Sequence, residues 1–374
     1  MRIAVNTRLL LPGRLEGIGR FTNETLKILV ADHPEVEWIF LFDRPFDQQF
    51  VFGPNVTPVV VWPPARHPLL WTLWFEFMIP RALKKHKADL FLSPDGYNSL
   101  STEIPSVNVI HDLNFEHNPN DVPGWAGRYL RSHFPKYALA AQRVATVSEY
   151  SARDIEKTYS INSEKIDVVY NGVDNRFSAS SSDQAREVKT RETGGQPFFL
   201  YVGSINPRKN IERMLQAFDQ FKSENPGMEH KLILAGAKMV WTEGMESTFQ
   251  GMIFKSDVIF KGMISDQTLG ELLGAAEALV YVSYFEGFGI PVIEAFQAGL
   301  PVICSNVTSL PEVAGNAALL VDPYDVAEIS AAMVSMANEP QLRSKLIEKG
   351  SARKHVFTWQ RTADLLWKSI QKAL

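Results

Sequence analysis

One cysteine, Cys304, occurs in 374 residues, so no internal disulfide can form, which suits a reducing compartment. Set in Pro301-Val302-Ile303-Cys304, the thiol reads as buried filler rather than a reactive group. Asp-x-Asp is absent, which removes the usual carboxylate clamp for a divalent ion on a diphosphate. His-Glu-x-x-His and paired-cysteine zinc spacings are absent too, so neither a metal site nor a cofactor is expected. The 38 basic and 42 acidic residues leave a net charge of −4, and no global field recruits nucleic acid. Met1-Arg2-Ile3-Ala4-Val5 is strand-like and lacks a signal-peptide core, and no apolar run reaches the roughly 18 residues of a transmembrane helix. The nearest approach, His67 to Leu83 with Trp71, Trp74, Phe75, Phe77 and Met78, is interrupted by Glu76 and Pro80. It reads as a helix packed on its own domain, with a membrane-facing or acceptor-facing role as the alternative. A cytoplasmic protein is expected, either free or peripheral on the inner face of the cell membrane.

What is present is a rhythm of short apolar runs. Ile3–Val5, Trp38–Phe42, Val56–Val61, Asp89–Leu92, Val107–Ile110, Val144–Val147 and Ile166–Val169 form a first series. Phe198–Val202, Lys231–Leu234, Val258–Phe260, Leu279–Val282, Pro301–Ile303 and Leu319–Val321 form a second. Continuous apolar strands alternating with helical patterns predict parallel sheets covered on both faces. The polar stretch 178–196 separates the series and reads as a linker between domains at 1–177 and 197–356. A terminal amphipathic helix, 357–374, either completes the second domain or returns to the first. The fold class is α/β, two doubly wound Rossmann-like domains facing across a cleft that would take the ligand.

The most informative residues are Glu286-Gly287-Phe288-Gly289-Ile290-Pro291-Val292-Ile293-Glu294. A strand, a glycine turn and a helix opened by Pro291 make an anion site, because unpaired N–H groups and the helix dipole point at the turn. A carboxylate beside it suits neutral hydroxyls rather than phosphate. The segment therefore reads as a nucleotide-sugar site, with phosphates on the turn and Glu294 on the ribose. Arg208 and Lys209, adjacent in the loop after Phe198–Val202, supply two cations suited to a diphosphate. In the first half Gly17 and Gly19 follow the first strand, but Thr22 stands where a dinucleotide fingerprint needs its third glycine, which argues against a nicotinamide site. His111, at the tip of another strand, could donate to a sugar hydroxyl or share a proton with a leaving group, or serve a structural hydrogen bond.

These residues resemble the paired-glutamate motif of retaining glycosyltransferases of family 4, which adopt the GT-B fold. The resemblance extends through Gly203 to Lys209, Asn171-Gly172-Val173-Asp174, Gly262-Met263-Ile264-Ser265-Asp266, Gly299-Leu300-Pro301-Val302, Leu310-Pro311-Glu312-Val313 and Phe357-Thr358-Trp359. It implies that Glu294 binds ribose hydroxyls, Glu286 contacts the transferred sugar, and Arg208 and Lys209 neutralise the diphosphate. Backbone amides at Phe288, Gly289 and Ile290 would help, Gly203 would join the donor site, and the backbone near Ile264 would read the base. Gly17 and Gly19 would close over the diphosphate, His111 would touch the sugar or the reacting face, and the last helix would cross back to the first domain. Ser283-Tyr284-Phe285 replaces the usual Pro-Ser before the first glutamate.

Gly17 to Phe21, His111-Asp112-Leu113 and Leu73 to Glu76 look most like bacterial mannosyltransferases that build O-antigen or related polysaccharides. The expected reaction is metal-independent transfer of a hexose, mannose from GDP-mannose, to a glycan or lipid-linked acceptor hydroxyl with retention. The segment Phe115 to Tyr137 would line the acceptor's side, and its basic residues would meet a lipid diphosphate, an anionic membrane surface or only solvent. A nucleotide-sugar epimerase or hydrolase of the same fold, or a non-catalytic sugar-nucleotide-binding protein, are the alternatives.

Overall fold

The computed structural model describes the whole chain except Arg14, Glu16 and Asn175. Each of the thirteen apolar runs overlaps a strand. The first sheet holds β1 (Arg2–Asn6), β2 (Glu37–Phe42), β3 (Val56–Val60), β4 (Leu90–Ser93), β5 (Ser106–Val109), β6 (Arg143–Thr146) and β7 (Ile166–Val168). Their order is β3-β2-β1-β4-β5-β6-β7, parallel throughout. The second holds β8 (Phe198–Val202), β9 (Lys231–Ala235), β10 (Val258–Gly262), β11 (Ala278–Tyr281), β12 (Val302–Ser305) and β13 (Ala318–Val321). It is also parallel, in the order β10-β9-β8-β11-β12-β13. Helices cover both faces, so Trp38, Ile39, Phe40, Leu41 and Phe42 of β2 are all buried, which is why such strands read as unbroken apolar runs. The winding reverses between β1 and β4 in one sheet and between β8 and β11 in the other. In doubly wound sheets the ligand crevice lies at the carboxyl ends of such a pair.

Contacts divide the chain into Met1–Gly172 with Thr358–Leu374, and Val173–Phe357. The stretch 178–196 is therefore not a linker but part of the second unit. Ser181 and Gln184 form a capping box that starts the helix Ser182–Thr193, and Gly194 ends it in the left-handed conformation. Only Val188 and Thr193 of that helix are buried, so its sequence carries too little apolar periodicity to stand out.

The last helix, Trp359–Ala373, buries Ala363, Leu366 and Ile370 in the first unit and stacks Trp367 on His33 with ring centroids 3.6 Å apart. Where the chain leaves that unit, a Cβ on Gly172 would lie 2.4 Å from the backbone N of Trp359. Backbone cannot yield as a side-chain tip can. Gly172→Ala is thus expected to destabilise the first unit by about 1–3 kcal/mol, read as a lower midpoint in thermal unfolding; an unchanged midpoint would refute the tight crossing.

The segment around Trp74 is one continuous helical run, Pro68–Leu73, a wider π-type turn at Trp74–Met78, then Ile79–His86. Pro80 has no N–H to give the carbonyl one turn back, and the chain takes the wider turn there instead of breaking. No described helix is long and apolar enough to cross a membrane.

Candidate active site

The second unit gathers its chemistry beyond the carboxyl ends of β8, β10 and β11. After β8, Gly203 takes φ 138°, and a Cβ on Gly236, at the end of neighbouring β9, would fall 1.8 Å from the Gly203 carbonyl oxygen. The two strand ends can therefore approach only as glycines. The loop then makes a 3₁₀ turn, Pro207–Lys209, and enters the helix Ile211–Glu224. Asn210 anchors this entry by donating to the carbonyls of Val282 and Pro323 at 2.9 and 2.7 Å.

Arg208 and Lys209 both converge on Glu286. Arg208 Nη1 donates to Glu286 Oε2 at 3.2 Å and to the Phe285 carbonyl at 3.1 Å. Lys209 Nζ donates to Glu286 Oε1 and, at 2.8 Å, to the Tyr281 hydroxyl, which itself donates to Glu286 Oε1 at 2.9 Å. Lys209 and Glu286 are buried, each 5% exposed. Burial alone would raise the Glu286 pKa, but the charges of Lys209 and Arg208 outweigh it and hold the carboxyl at about 2. Burial pushes the Tyr281 phenol well above its ordinary pKa and the Glu286 charge pushes it further, so it stays a donor. At neutral pH the trio carries one net positive charge.

Hydroxyls hold the glycine turn from behind. The Glu286 N–H donates to Thr308 Oγ1 at 3.3 Å, and Ser309 Oγ lies 2.9 and 3.0 Å from the carbonyl oxygens of Glu286 and Phe288. Gly289, at φ 104°, then starts the helix Ile290–Gln297, which carries the buried Glu294 one turn in. Ile264 follows β10 and leads to Ser265, the cap of the helix Asp266–Ala275. Tyr281, Thr308, Ser309 and Gly236 escaped the reading of the sequence. The hydroxyl pair alone left a local signal, since it stands just before a helix with Pro311 in its first turn.

In the first unit Gly17 precedes the helix Ile18–Asp32 at φ 43°. Gly19 has an internal reason to be glycine, because a Cβ there would come 2.9 Å from the Leu9 carbonyl oxygen. Glu16, between Leu15 and Gly17, lies outside the described residues. His111 Nε2 is 2.9 Å from the Pro94 carbonyl, which fixes the proton on that nitrogen. Burial lowers the His111 pKa, outweighing that hydrogen bond and the nearby Asp112 and Asp95, so the ring is neutral. Asp112 is engaged elsewhere, accepting from the Asn114 N–H at 2.9 Å. At the switch point itself sits a pair the sequence did not reveal, Arg8 and Asp95, buried and bonded at 2.5 Å. Of the expected acceptor segment, Tyr129, Phe134 and Tyr137 face the core, while Trp125, Arg128 and Lys136 are exposed.

Residues 15–177 match the family described as Glycosyltransferase Family 4, and residues 182–353 match Glycosyl transferases group 1. O-antigen chain mannosyltransferase B of Escherichia coli is 30% identical over 92% of this chain and 93% of its own. The chain belongs to glycosyltransferase family 4. A further relative of this glycosyltransferase is the O-antigen chain mannosyltransferase RfbU of Salmonella typhimurium strain LT2, 29% identical over 74% of this chain and 73% of that one. Sucrose-phosphate synthase from Thermosynechococcus elongatus superposes with a TM-score of 0.79 at 18% identity, covering 99% of this chain and 98% of that one. The fold is therefore GT-B. Just before Glu286, Tyr284 stacks on Tyr324, centroids 5.0 Å apart, and its hydroxyl is tied to Arg213. Among the described residues no group of three or more His, Cys, Asp or Glu side chains is placed to hold a metal ion.

Proposed function

We propose that this glycosyltransferase moves mannose from GDP-mannose to a hydroxyl of a glycan or lipid-linked acceptor in bacterial polysaccharide synthesis. Transfer proceeds with retention at the anomeric carbon, without a divalent metal, in the cytoplasm. The observation that carries the reading is the convergence of Arg208 and Lys209 on Glu286, beside a helix start that bears Glu294. The mannose and the acceptor class rest on what the two mannosyltransferase relatives are named for.

Breaking the bond from the anomeric carbon to the diphosphate leaves an oxocarbenium-like centre and puts charge on the departing oxygens. Arg208, Lys209 and the amides at Phe288, Gly289 and Ile290 meet that growing charge, where fixed donors contribute most. Glu286, ionised at neutral pH, orients both cations and faces the sugar; Glu294 takes the ribose hydroxyls. Gly203 and the backbone at Ile264 border the nucleotide. The neutral His111, its Nε2 proton spent on Pro94, keeps Nδ1 as an acceptor for a sugar hydroxyl.

Calorimetric titration with GDP, UDP and ADP, with and without magnesium, tests the donor. GDP is expected to bind selectively and equally well without the metal. Glu294→Ala should weaken it about 10- to 100-fold, the loss of hydrogen bonds to a charged group. Preference for UDP would overturn the GDP-mannose assignment; no nucleotide binding would overturn the donor site. The anomeric configuration of the product, read by NMR against that of the donor, decides retention.

A further inference from the structure

Beside Glu286 two tyrosines make a surface for which donor binding has no use. Tyr284, two positions before Glu286, is fixed to the diphosphate loop, since its N–H donates to the Arg208 carbonyl at 2.8 Å. Its ring lies on that of Tyr324 at an interplanar angle of 11°. The Arg213 guanidinium packs against both rings, 5.6 and 5.5 Å from their centroids, while donating to the Tyr284 hydroxyl. The stack covers one face of Tyr324, yet the residue stays 60% exposed.

The exposed ring does not ride on a loose loop. Tyr324 lies between β13 and the helix Val326–Asn338. Its N–H donates to Asp322 Oδ1 at 2.8 Å, and the Pro323 carbonyl is held by Asn210. Asp325 then caps the helix by accepting from the N–H groups of Ala327 and Glu328. A tyrosine held this way presents a large contact face with little freedom left to lose on binding. Among the described residues Arg213 forms no ion pair and the Tyr324 hydroxyl makes no hydrogen bond, so both have capacity left for a ligand.

Strand spacing decides what reaches this ring. In the order β10-β9-β8-β11-β12-β13, Ile264 follows β10, Glu286 follows β11 and Tyr324 follows β13. Neighbouring strands lie about 4.8 Å apart, which puts Tyr324 about 24 Å from the Ile264 side and about 10 Å from the Glu286 side. A donor with its base at Ile264 and its sugar at Glu286 leaves the tyrosines on the side of the sugar away from the base, open to the molecule that receives it. One exposed ring is far less than the roughly 800 Å² that a protein partner covers on each side. It does match a single sugar, because the electron-rich face of an aromatic ring attracts the polarised C–H groups on one face of a pyranose.

We propose that Tyr324 and Tyr284, with Arg213, form a platform for one hexopyranose of the acceptor glycan. The sugar lies on the exposed face of Tyr324, and Arg213 donates to one of its hydroxyls. The platform rests on the proposed donor site, which sets base and sugar at Ile264 and Glu286. It reads the acceptor at a sugar other than the one that reacts, so a chain of several sugars is a better acceptor than a monosaccharide.

Saturation-transfer NMR with α-linked mannotriose, with and without GDP, provides the test. The ring C–H protons of one mannose are expected to receive saturation from the wild type. Tyr324→Ala should weaken binding about tenfold, the size of losing one aromatic stack, while Tyr324→Trp keeps it. In turnover the alanine variant should raise KM for mannotriose far more than it lowers kcat. An exposed side chain leaves the unfolding midpoint where it was. Equal binding by wild type and Tyr324→Ala, or no saturation transfer from the wild type, would overturn the platform. Either result alongside normal GDP binding removes the platform alone. Mannotriose binding that depends on Tyr324 in a protein that does not bind GDP removes the donor site and leaves the platform as a glycan site.

Discussion

Replacing Lys209 with alanine is expected to cost about 3–5 kcal/mol of stability and to remove measurable turnover. The ammonium is buried against Glu286 and Tyr281, and its loss leaves Glu286 buried with only the more exposed Arg208 as a charged partner. Denaturant unfolding reads the first effect, and product formation from a radiolabelled donor reads the second. Lys209→Met/Glu286→Gln removes both charges of the pair, so it should recover most of the stability and none of the turnover. A single variant as stable as the wild type would refute the buried pair. In the wild type this contribution has a definite pH range. The Glu286 carboxyl is held at about 2 against an ordinary 4.5, so its stabilisation is complete above the ordinary value and is lost as pH falls from there toward 2.

Arg208→Ala should act on rate rather than on folding. Its side chain is 25% exposed, against 7% for Lys209, and Glu286 keeps its bonds to Lys209 and Tyr281 when the guanidinium is gone. Under the proposed mechanism it removes a preorganised donor to the leaving diphosphate, and kcat is expected to fall about 10²- to 10³-fold with little change in the unfolding midpoint. Steady-state rates with saturating donor decide it: an Arg208→Ala enzyme with full kcat would remove charge stabilisation at this loop from the mechanism.

The parallel sheets were legible because strands covered on both faces are mostly apolar, and short apolar runs bounded by turn residues read as strands rather than as the longer helices between them. Arg208, Lys209, Glu286 and Glu294 stood out as candidates because charge beside a glycine turn and a helix start has few structural uses, and the structure brings the first three together. Tyr281 was hidden, since an aromatic residue in an apolar strand reads as core and only the fold brings its hydroxyl onto Glu286. Arg8 and Asp95 were hidden by distance, 87 positions apart and joined where winding reverses. The helix Ser182–Thr193 was missed for the opposite reason: its capping box was written in the sequence, but serine and glycine on its flanks suggested a flexible tether.

The division of the chain at Gly172 and Thr358 has a consequence for biogenesis. The first sheet leaves the ribosome long before the helix that covers it, because the whole of Val173–Phe357 is synthesised in between. At 5–20 residues per second that interval is on the order of 10–40 s. During it the surface that will receive Leu366 and Ile370 stays open, and Asp167 waits for Ser369 and Lys372. The second unit can complete itself first, so the nascent chain finishes its later half before its earlier one and offers chaperones an amino-terminal client throughout.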